Sequence, residues 1–269
     1  MKNHNNLRKF GFTLAEVLIT LGIIGIVAAL TIPFLVGHFQ DIVIKAKVKK
    51  SYSIVSEALQ RAINDYGSVD TWTSGFNSGD EKTLTHITFN KYISKYLEPV
   101  KTCNWIKREQ CISKQYSKRL FESTGGIPDA TIPPAETNIY VLKDGITLVI
   151  IPHAGDYTQY WCTGQVKDAM SGWDAYMRVC GSFYVDINGP KGPNKDGDDL
   201  FRFKIFKDGV RPYGSPLDTV QLESFEKGCI GNEPRAALGT CTAWIMLYDN
   251  ADYRHCPNKI GHNKQHSCR

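Results

Sequence analysis

The segment from Asp186 to Asp199 gathers oxygen-bearing side chains that could bind a metal ion. Its sequence, DINGPKGPNKDGDD, contains four aspartates and two asparagines, interrupted by glycines and prolines that permit tight turns. Ca²⁺ takes about six to eight oxygen ligands in flexible geometry, so residues 186–199 are a candidate Ca²⁺ site. The fixed spacing and terminal glutamate of the helix-flanked calcium loop are missing. The alternative is a long connecting loop in which Asp and Asn side chains cap turns.

The eight cysteines form a second group of residues with defined chemistry, and none belongs to a C-x-x-C pair. Zinc ribbons and thioredoxin-like sites need that short spacing, so we predict neither. An even number of well-separated cysteines downstream of an export signal indicates disulfides formed in an oxidising compartment. Among roughly 105 possible connectivities, the simplest joins sequence neighbours. These pairs are Cys103–Cys111, Cys162–Cys180, Cys229–Cys241 and Cys256–Cys268.

The C-terminal tail, residues 253–269, combines three histidines and two cysteines with no acidic residue. Imidazole and thiolate could bind zinc or copper, but a basic loop closed by a disulfide is the interpretation we favour for an exported chain. Elsewhere the sequence contains no G-x-S-x-G elbow, no phosphate-binding glycine loop and no H-E-x-x-H motif. We therefore predict that the protein is not an enzyme.

Glu16 is the one charged residue in an apolar segment that runs from Phe12 to Val36. These 25 residues are long enough to cross a bilayer core of about 30 Å as a helix. A carboxylate at that depth is costly and normally has a partner. Two ordinary alternatives are a plain transmembrane anchor and a secretory signal peptide cut near Ala29. The charge and the apolar residues that continue beyond Ala29 disfavour the signal peptide.

The run Gly11-Phe12-Thr13-Leu14-Ala15-Glu16 closely resembles the prepilin processing site of type IV pilins and type II secretion pseudopilins. The resemblance implies cleavage between Gly11 and Phe12 by a prepilin peptidase, and methylation of the new N-terminal amine. It implies that Glu16 neutralises the N-terminal amine of a neighbouring subunit during filament assembly. Pro33 stands where many members have a proline, and it should kink or loosen the helix because proline lacks the amide donor.

The domain organisation implied by this resemblance has four parts. Residues 1–11 are the leader, 12–36 the transmembrane half of the N-terminal helix, 37–66 its amphipathic continuation, and 67–269 a β-rich globular head. Gly67 is the predicted end of the helix. Apolar residues recur every three or four positions along the continuation and predict its core-facing side. They are Val36, Phe39, Val43, Ala46, Tyr52, Val55, Leu59, Ala62 and Tyr66.

The head shows the alternation and turn signals of short antiparallel strands. Residues 138–152 predict a hairpin around Asp144-Gly145. Residues 181–187 predict another strand, and residues 201–206 a further one that ends at a turn at Asp208-Gly209. The expected fold class is therefore α+β and pilin-like, with a long N-terminal helix packed on a small antiparallel sheet and stapled by disulfides.

The charge distribution bears on the choice of partners. The leader holds three of the 32 basic residues, so its removal leaves 29 against 27 acidic residues, and we do not expect a nucleic-acid partner. The cluster Lys45, Lys47, Lys49 and Lys50 is expected to be a solvated helix face, with lipid headgroups as the alternative.

The function expected from the resemblance is that of a filament subunit in a type IV pilus-like or type II secretion system. Its partners would be other pilin subunits, the prepilin peptidase and the inner-membrane assembly machinery. It would sit in the inner membrane as a single-pass protein with a periplasmic head, and then in the pilus or pseudopilus. The alternative is a minor tip pilin whose head binds a ligand, as an adhesin or in DNA uptake.

Overall fold

The computed structural model describes residues 13–72, 79–116, 138–152, 162, 179–216, 224–231 and 238–268. Helix α1 covers Leu14–Tyr66, and Gly67 follows it with a left-handed φ of 84°. Helix α2 covers Gly79–Leu97, and the short helix α3 covers Thr242–Tyr248. The chain divides into two compact units, residues 1–43 and residues 44–269, which are described separately below.

Six antiparallel strands form one sheet in the second unit, in the order β1-β2-β3-β4-β5-β6. Their bounds are Lys101–Cys103, Ile139–Val141, Thr147–Pro152, Val179–Asp186, Leu200–Phe206 and Gly209–Pro212. Each strand pairs with the next one along the chain, so the sheet is a meander. The α+β pilin-like fold predicted from the sequence, a long helix with an antiparallel sheet and disulfides, is confirmed.

The predicted hairpin and the predicted turn after the strand at residues 201–206 are both present. Strands β2 and β3 pair across the turn that contains Asp144 and Gly145, and Gly145 takes the left-handed φ of 79° that such a turn favours. Strands β5 and β6 pair Phe206 with Gly209. The second turn is therefore Lys207-Asp208, one residue earlier than predicted, because Gly209 already belongs to a strand.

The core of the second unit lies on both faces of the sheet. One buried cluster joins α1 and α2 to one face through Leu59, Phe89, Phe183 and Phe203 among others. A second cluster covers the opposite face near β1 and β2. All residues of β3 and β4 are buried, as expected for central strands covered on both sides.

The buried side of α1 agrees with the predicted stripe only in its later part. Val55, Leu59 and Ala62 are fully buried, as predicted. Phe39 and Ala46 are exposed, and Ile44 and Val48 face the core instead. The predicted stripe was wrong here because its apolar positions before the lysines and those after them lie on different faces of the helix. Tertiary packing buries the face that contains Val55.

All four disulfides join the cysteine neighbours predicted from the sequence. The bonded pairs are Cys103–Cys111, Cys162–Cys180, Cys229–Cys241 and Cys256–Cys268. None of the eight cysteines is free. The disulfides therefore cross-link the head locally, because each joins two cysteines that are 8 to 18 positions apart in the sequence.

Candidate assembly site at the helix N-terminus

Thr13 and Glu16 form a reciprocal pair at the start of α1. The Glu16 backbone N–H donates to Thr13 Oγ1 at 3.2 Å, while Thr13 N–H and its hydroxyl donate to Glu16 Oε2, each at 2.8 Å. The first backbone N–H groups of any helix have no intrahelical partner. This T-x-x-E arrangement is a capping box, and it satisfies two groups at the helix start. It also places a negative charge where the helix dipole favours one.

Only one oxygen of the Glu16 carboxylate is used by this cap. Oε2 accepts both bonds from Thr13, and no described residue donates to Oε1. The side chain is thus held in a defined position with one acceptor atom left over. This geometry allows Glu16 to accept a further donor without giving up the cap.

The other predicted residues of this site have different outcomes. Gly11 and Phe12, the predicted processing site, lie outside the described residues. Pro33 lies inside α1, which continues as one helix on both sides of it, so the predicted kink is not seen as a break in the helix. The assembly role given to Pro33 stays a prediction.

The first unit presents an apolar helix surface around this capped carboxylate. α1 is the one helix in the described part of the chain that is long and apolar enough to cross a membrane, and its apolar window has no buried residues. The hydroxyls of Thr20 and Thr31 donate to the carbonyls of Val17 and Val27, so they are satisfied within the helix. These features fit membrane anchoring through α1.

The lysine cluster of the second unit lies on a partly to fully exposed helix face, as expected, and its ammonium groups also contact the head. Lys45 and Lys49 both donate to Asp249, to its carbonyl at 2.9 Å and its carboxylate at 2.8 Å. Lys47 donates to the carbonyl of Ile187 at 2.6 Å, and Lys50 pairs with Asp144 at 2.7 Å. Because these partners lie in three separate head loops, the lysines fasten the helix to the head.

Residues 187–199 connect β4 to β5, so the segment 186–199 lies between two strands, as predicted. Burial raises the pKa of Asp186 to about 7, and repulsion from Asp199 adds to the rise. Burial also raises the pKa of Asp199. Both carboxyl groups therefore lie in a poorly solvated environment, which disfavours their charged forms.

The tail is closed by the Cys256–Cys268 disulfide, the form that was predicted in preference to a metal site. Asp252, Cys256 and Cys268 lie close enough to hold an ion, but both sulfurs are joined in the disulfide. Asp252 instead accepts bonds from the Ser267 hydroxyl and the Cys268 backbone N–H, each at 2.9 Å. This site therefore lacks the free thiolates that zinc or copper would require.

Thr13 belongs to this candidate site and was not predicted from the sequence. The signal was available, because Ser or Thr followed three residues later by Glu, directly before an apolar run, is the pattern of a capping box. The structure adds what the sequence pattern does not contain, namely that both hydrogen bonds from Thr13 go to the same oxygen of Glu16, Oε2.

Two family models match this chain. The model described as a family of unknown function (DUF6613) matches residues 34–252, and the model of the prokaryotic N-terminal methylation motif matches residues 6–32. No curated protein and no solved structure matches it. The methylation motif, the capped Glu16 and the apolar helix together identify a type IV pilin or pseudopilin signature, as the sequence resemblance indicated. The chain belongs to the DUF6613 family of unknown function and carries this signature at its N-terminus.

Proposed function

We propose that this chain is a non-enzymatic structural subunit of a type IV pilus-like or type II secretion pseudopilus filament. A prepilin peptidase cleaves it between Gly11 and Phe12, and it assembles through its N-terminal helix. The observation that carries the proposal is a single carboxylate, Glu16, held by Thr13 in an apolar helix with one oxygen still available.

Cleavage supplies a partner for that oxygen. Removal of the leader leaves a positively charged amine on Phe12, and Oε1 of Glu16 in the adjacent subunit accepts its N–H. Two opposite charges buried together cost far less than either one alone in lipid. Helix-on-helix contact then replaces lipid contact along the apolar surface, and the charge pair sets the register of the subunits.

The location follows from the same elements. Residues 1–11 lie in the cytoplasm, residues 12–36 cross the inner membrane, and the helix continuation and head, residues 37–66 and 67–269, lie in the periplasm before assembly. The four disulfides support this orientation because they form in an oxidising compartment.

Glu16→Gln tests whether charge or capping is required for assembly. The amide oxygen of glutamine keeps the acceptor for Thr13, so the helix cap remains while the charge is removed. We expect normal membrane insertion and leader removal, with loss of incorporation into sheared filaments when the assembly machinery is present. Thr20→Val is the matched control, since it removes a self-satisfied hydroxyl from the same helix, and it should incorporate normally. Wild-type incorporation of Glu16→Gln would refute the charge-pair proposal.

Leader removal is tested separately at the cleavage site. Co-expression with a prepilin peptidase should yield a mature N-terminus at Phe12 by mass spectrometry, with its amine methylated. Gly11→Leu should retain the leader, because the family's peptidase cuts after glycine. A mature terminus at any other residue would contradict the processing proposal, and cleavage near Ala29 would indicate a signal peptide instead.

A second candidate function, a minor tip pilin that captures DNA, has one observation in its favour. The acid-free tail is folded by the Cys256–Cys268 disulfide and exposes Lys259 and Lys264. The full chain in detergent micelles would then bind DNA, and Lys259→Ala and Lys264→Ala would each lower the log–log salt slope by about 1. Lys91→Ala, an exposed lysine of α2, is the control. Absence of salt-dependent binding would leave the structural subunit as the function.

A further inference from the structure

One end of the sheet lies beside the lysines of α1. Lys50 pairs with Asp144 of the β2–β3 turn at 2.7 Å, and Lys47 donates to a carbonyl of the loop after β4 at 2.6 Å. The opposite end lies near the end of α1, where Lys207 of the β5–β6 turn pairs with Asp70 at 2.8 Å. We call the end beside the lysines the proximal end. It comprises residues 45–50, 98–110, 143–145, 187–199 and 247–249.

Exposed aliphatic side chains gather at the proximal end. Leu247 is exposed and lies two residues before Asp249, which Lys49 contacts at 2.8 Å. Val100 is also exposed, and its backbone N–H donates to the carbonyl of Val141 at the end of β2. Single apolar side chains are normal on a protein surface. Several of them at one end of a domain indicate a contact with apolar material.

Ile106 is the most exposed aliphatic side chain among the described residues of the second unit, at 84%. It lies in a short 3-10 helix inside the loop that the Cys103–Cys111 disulfide closes, and the Asn104 side chain caps this helix. The Cys111 carbonyl accepts the Thr147 hydroxyl at 2.9 Å, which ties the loop to the start of β3. Because Ile106 is held in a fixed position, a contact through it costs little ordering entropy.

The proximal end is also the basic part of the chain. Of the 29 basic and 27 acidic residues that remain without the leader, ten and seven lie at this end. The rest of the chain then carries 19 basic and 20 acidic residues, so the positive balance belongs to the proximal end alone. Lys101, Lys107 and Lys143 are exposed there. An anionic surface is therefore the complementary partner.

The chain keeps the lysines of α1 within electrostatic reach of lipid headgroups. Lys45 follows Val36, the last residue of the apolar segment, by nine positions of α1, which is about 14 Å at a rise of about 1.5 Å per residue. A headgroup layer is about 5–8 Å thick, and the Debye length at physiological ionic strength is about 8 Å. The two lengths together cover the distance to Lys45. A lysine near an anionic bilayer strengthens binding about five-fold.

We propose that the proximal end docks on the surface of the bilayer that α1 anchors. Val100, Ile106 and Leu247 enter the headgroup layer, and the exposed lysines contact lipid phosphates. The aliphatic side chains come from separate loops and project singly between cationic groups, which suits a deformable layer of apolar chains and phosphates better than a shaped protein surface. The inference rests on the proposed membrane anchoring and is independent of filament assembly.

The test is photocrosslinking of the full chain in phospholipid vesicles. The photoreactive residue p-benzoylphenylalanine replaces Ile106 in one variant and Ile87 in the control. Ile87 is also exposed, but it lies two residues before Phe89, which packs on Trp72 near the opposite end. We expect a phospholipid adduct by mass spectrometry from position 106 and none from position 87.

The lipid and the salt concentration test the electrostatic part. The adduct should form in vesicles of phosphatidylcholine mixed with phosphatidylglycerol, and its yield should fall in phosphatidylcholine alone. It should also fall in 1 M NaCl, where the Debye length is about 3 Å. Lys107→Ala keeps the Asn104 cap, which uses the backbone N–H, and should lower the yield by up to about five-fold. Lys91→Ala, on α2, should leave it unchanged.

Flotation with the vesicles measures anchoring separately, so a failure of the anchor is not mistaken for a failure of docking. The inference is overturned if floated protein gives no lipid adduct from position 106, if position 87 reacts equally, or if anionic lipid does not change the yield. An adduct between two protein chains in place of the lipid adduct would also overturn it, because it would assign this surface to a protein partner.

Discussion

Truncation of Leu59 tests whether the second half of α1 belongs to the core of the head. Leu59 is 0% exposed and lies in the buried cluster that joins α1 to the sheet. Leu59→Ala removes three carbon atoms that are fully withdrawn from water and leaves a cavity. Burial is worth about 0.8 kcal/mol for each CH₂ group, and the cavity adds to that loss.

The expected loss in free energy of unfolding is about 2–5 kcal/mol. Alanine has the better helix propensity, but the gain is a few tenths of a kcal/mol at most and does not offset the cavity. For a domain of this size each kcal/mol corresponds to about 2–4 °C. The Tm should therefore fall by about 4–20 °C, measured by near-UV circular dichroism of the full chain in detergent.

Two matched variants on the same helix act as controls. Gln60 is the exposed neighbour of Leu59, and Gln60→Ala should change stability by no more than about 0.5 kcal/mol. Phe39 was predicted to share the core-facing side but is 62% exposed, so Phe39→Ala should leave the Tm of the head unchanged. The smallest Tm shift expected for a change of 1 kcal/mol is about 2 °C. This placement of the buried face would be refuted if the Tm of Leu59→Ala stayed within about 2 °C of the wild type, or if Phe39→Ala caused a large fall in Tm.

Three further predictions concern the head. Peptide mapping without reductant should recover only the four neighbouring disulfide pairs, and any crossed pair would contradict the fold. Gly239→Ala should prevent folding, because the new Cβ would lie 2.4 Å from the Cβ of Arg202 at a left-handed φ of 82°, and a soluble variant with wild-type Tm would contradict this. Burial opposes a low pKa at Asp144, but the bond to Lys50 lowers the pKa overall. The Asp144–Lys50 pair therefore stabilises the folded state above about pH 4, and this stabilisation is lost as the pH falls below that value. Asp144→Asn should cost about 0.2–1 kcal/mol at pH 7 and almost nothing near pH 3, by thermal melts across that range.

Much of this fold was predictable because its signals are local. The length of α1 follows from the apolar segment and from helical spacing of apolar residues up to Gly67. The β2–β3 hairpin follows from Asp144-Gly145 between two β-prone runs. The disulfide pairing was also predictable, since in each case the partner is the next cysteine along the chain. In the candidate assembly site, Glu16 was identifiable because a lone charge in an apolar segment needs a specific explanation.

Other features could not be predicted because they depend on partners distant in sequence. Strand β1 has three residues and exists through its pairing with β2. Arg202 and Lys204 alternate with apolar residues as if they faced solvent, yet both are 6% exposed. The ring of Tyr213 lies 4.4 Å from the Arg202 guanidinium and 4.7 Å from the Lys204 ammonium. Cation–π contact and the aliphatic stems of these residues make their burial favourable.

The sequence by itself determined the apolar helical segment, the N-terminal methylation motif and the lone charge of Glu16, because hydrophobic length and a short motif act without distant contacts. It also determined that residues 186–199 would be rich in oxygen ligands. Only the tertiary structure decided which of those oxygens are buried and unsatisfied, which face of α1 meets the sheet, and where the lysines bind. Those outcomes depend on burial and on hydrogen bonds between residues as many as 204 positions apart, as for Lys45 and Asp249, and a local pattern does not contain that information.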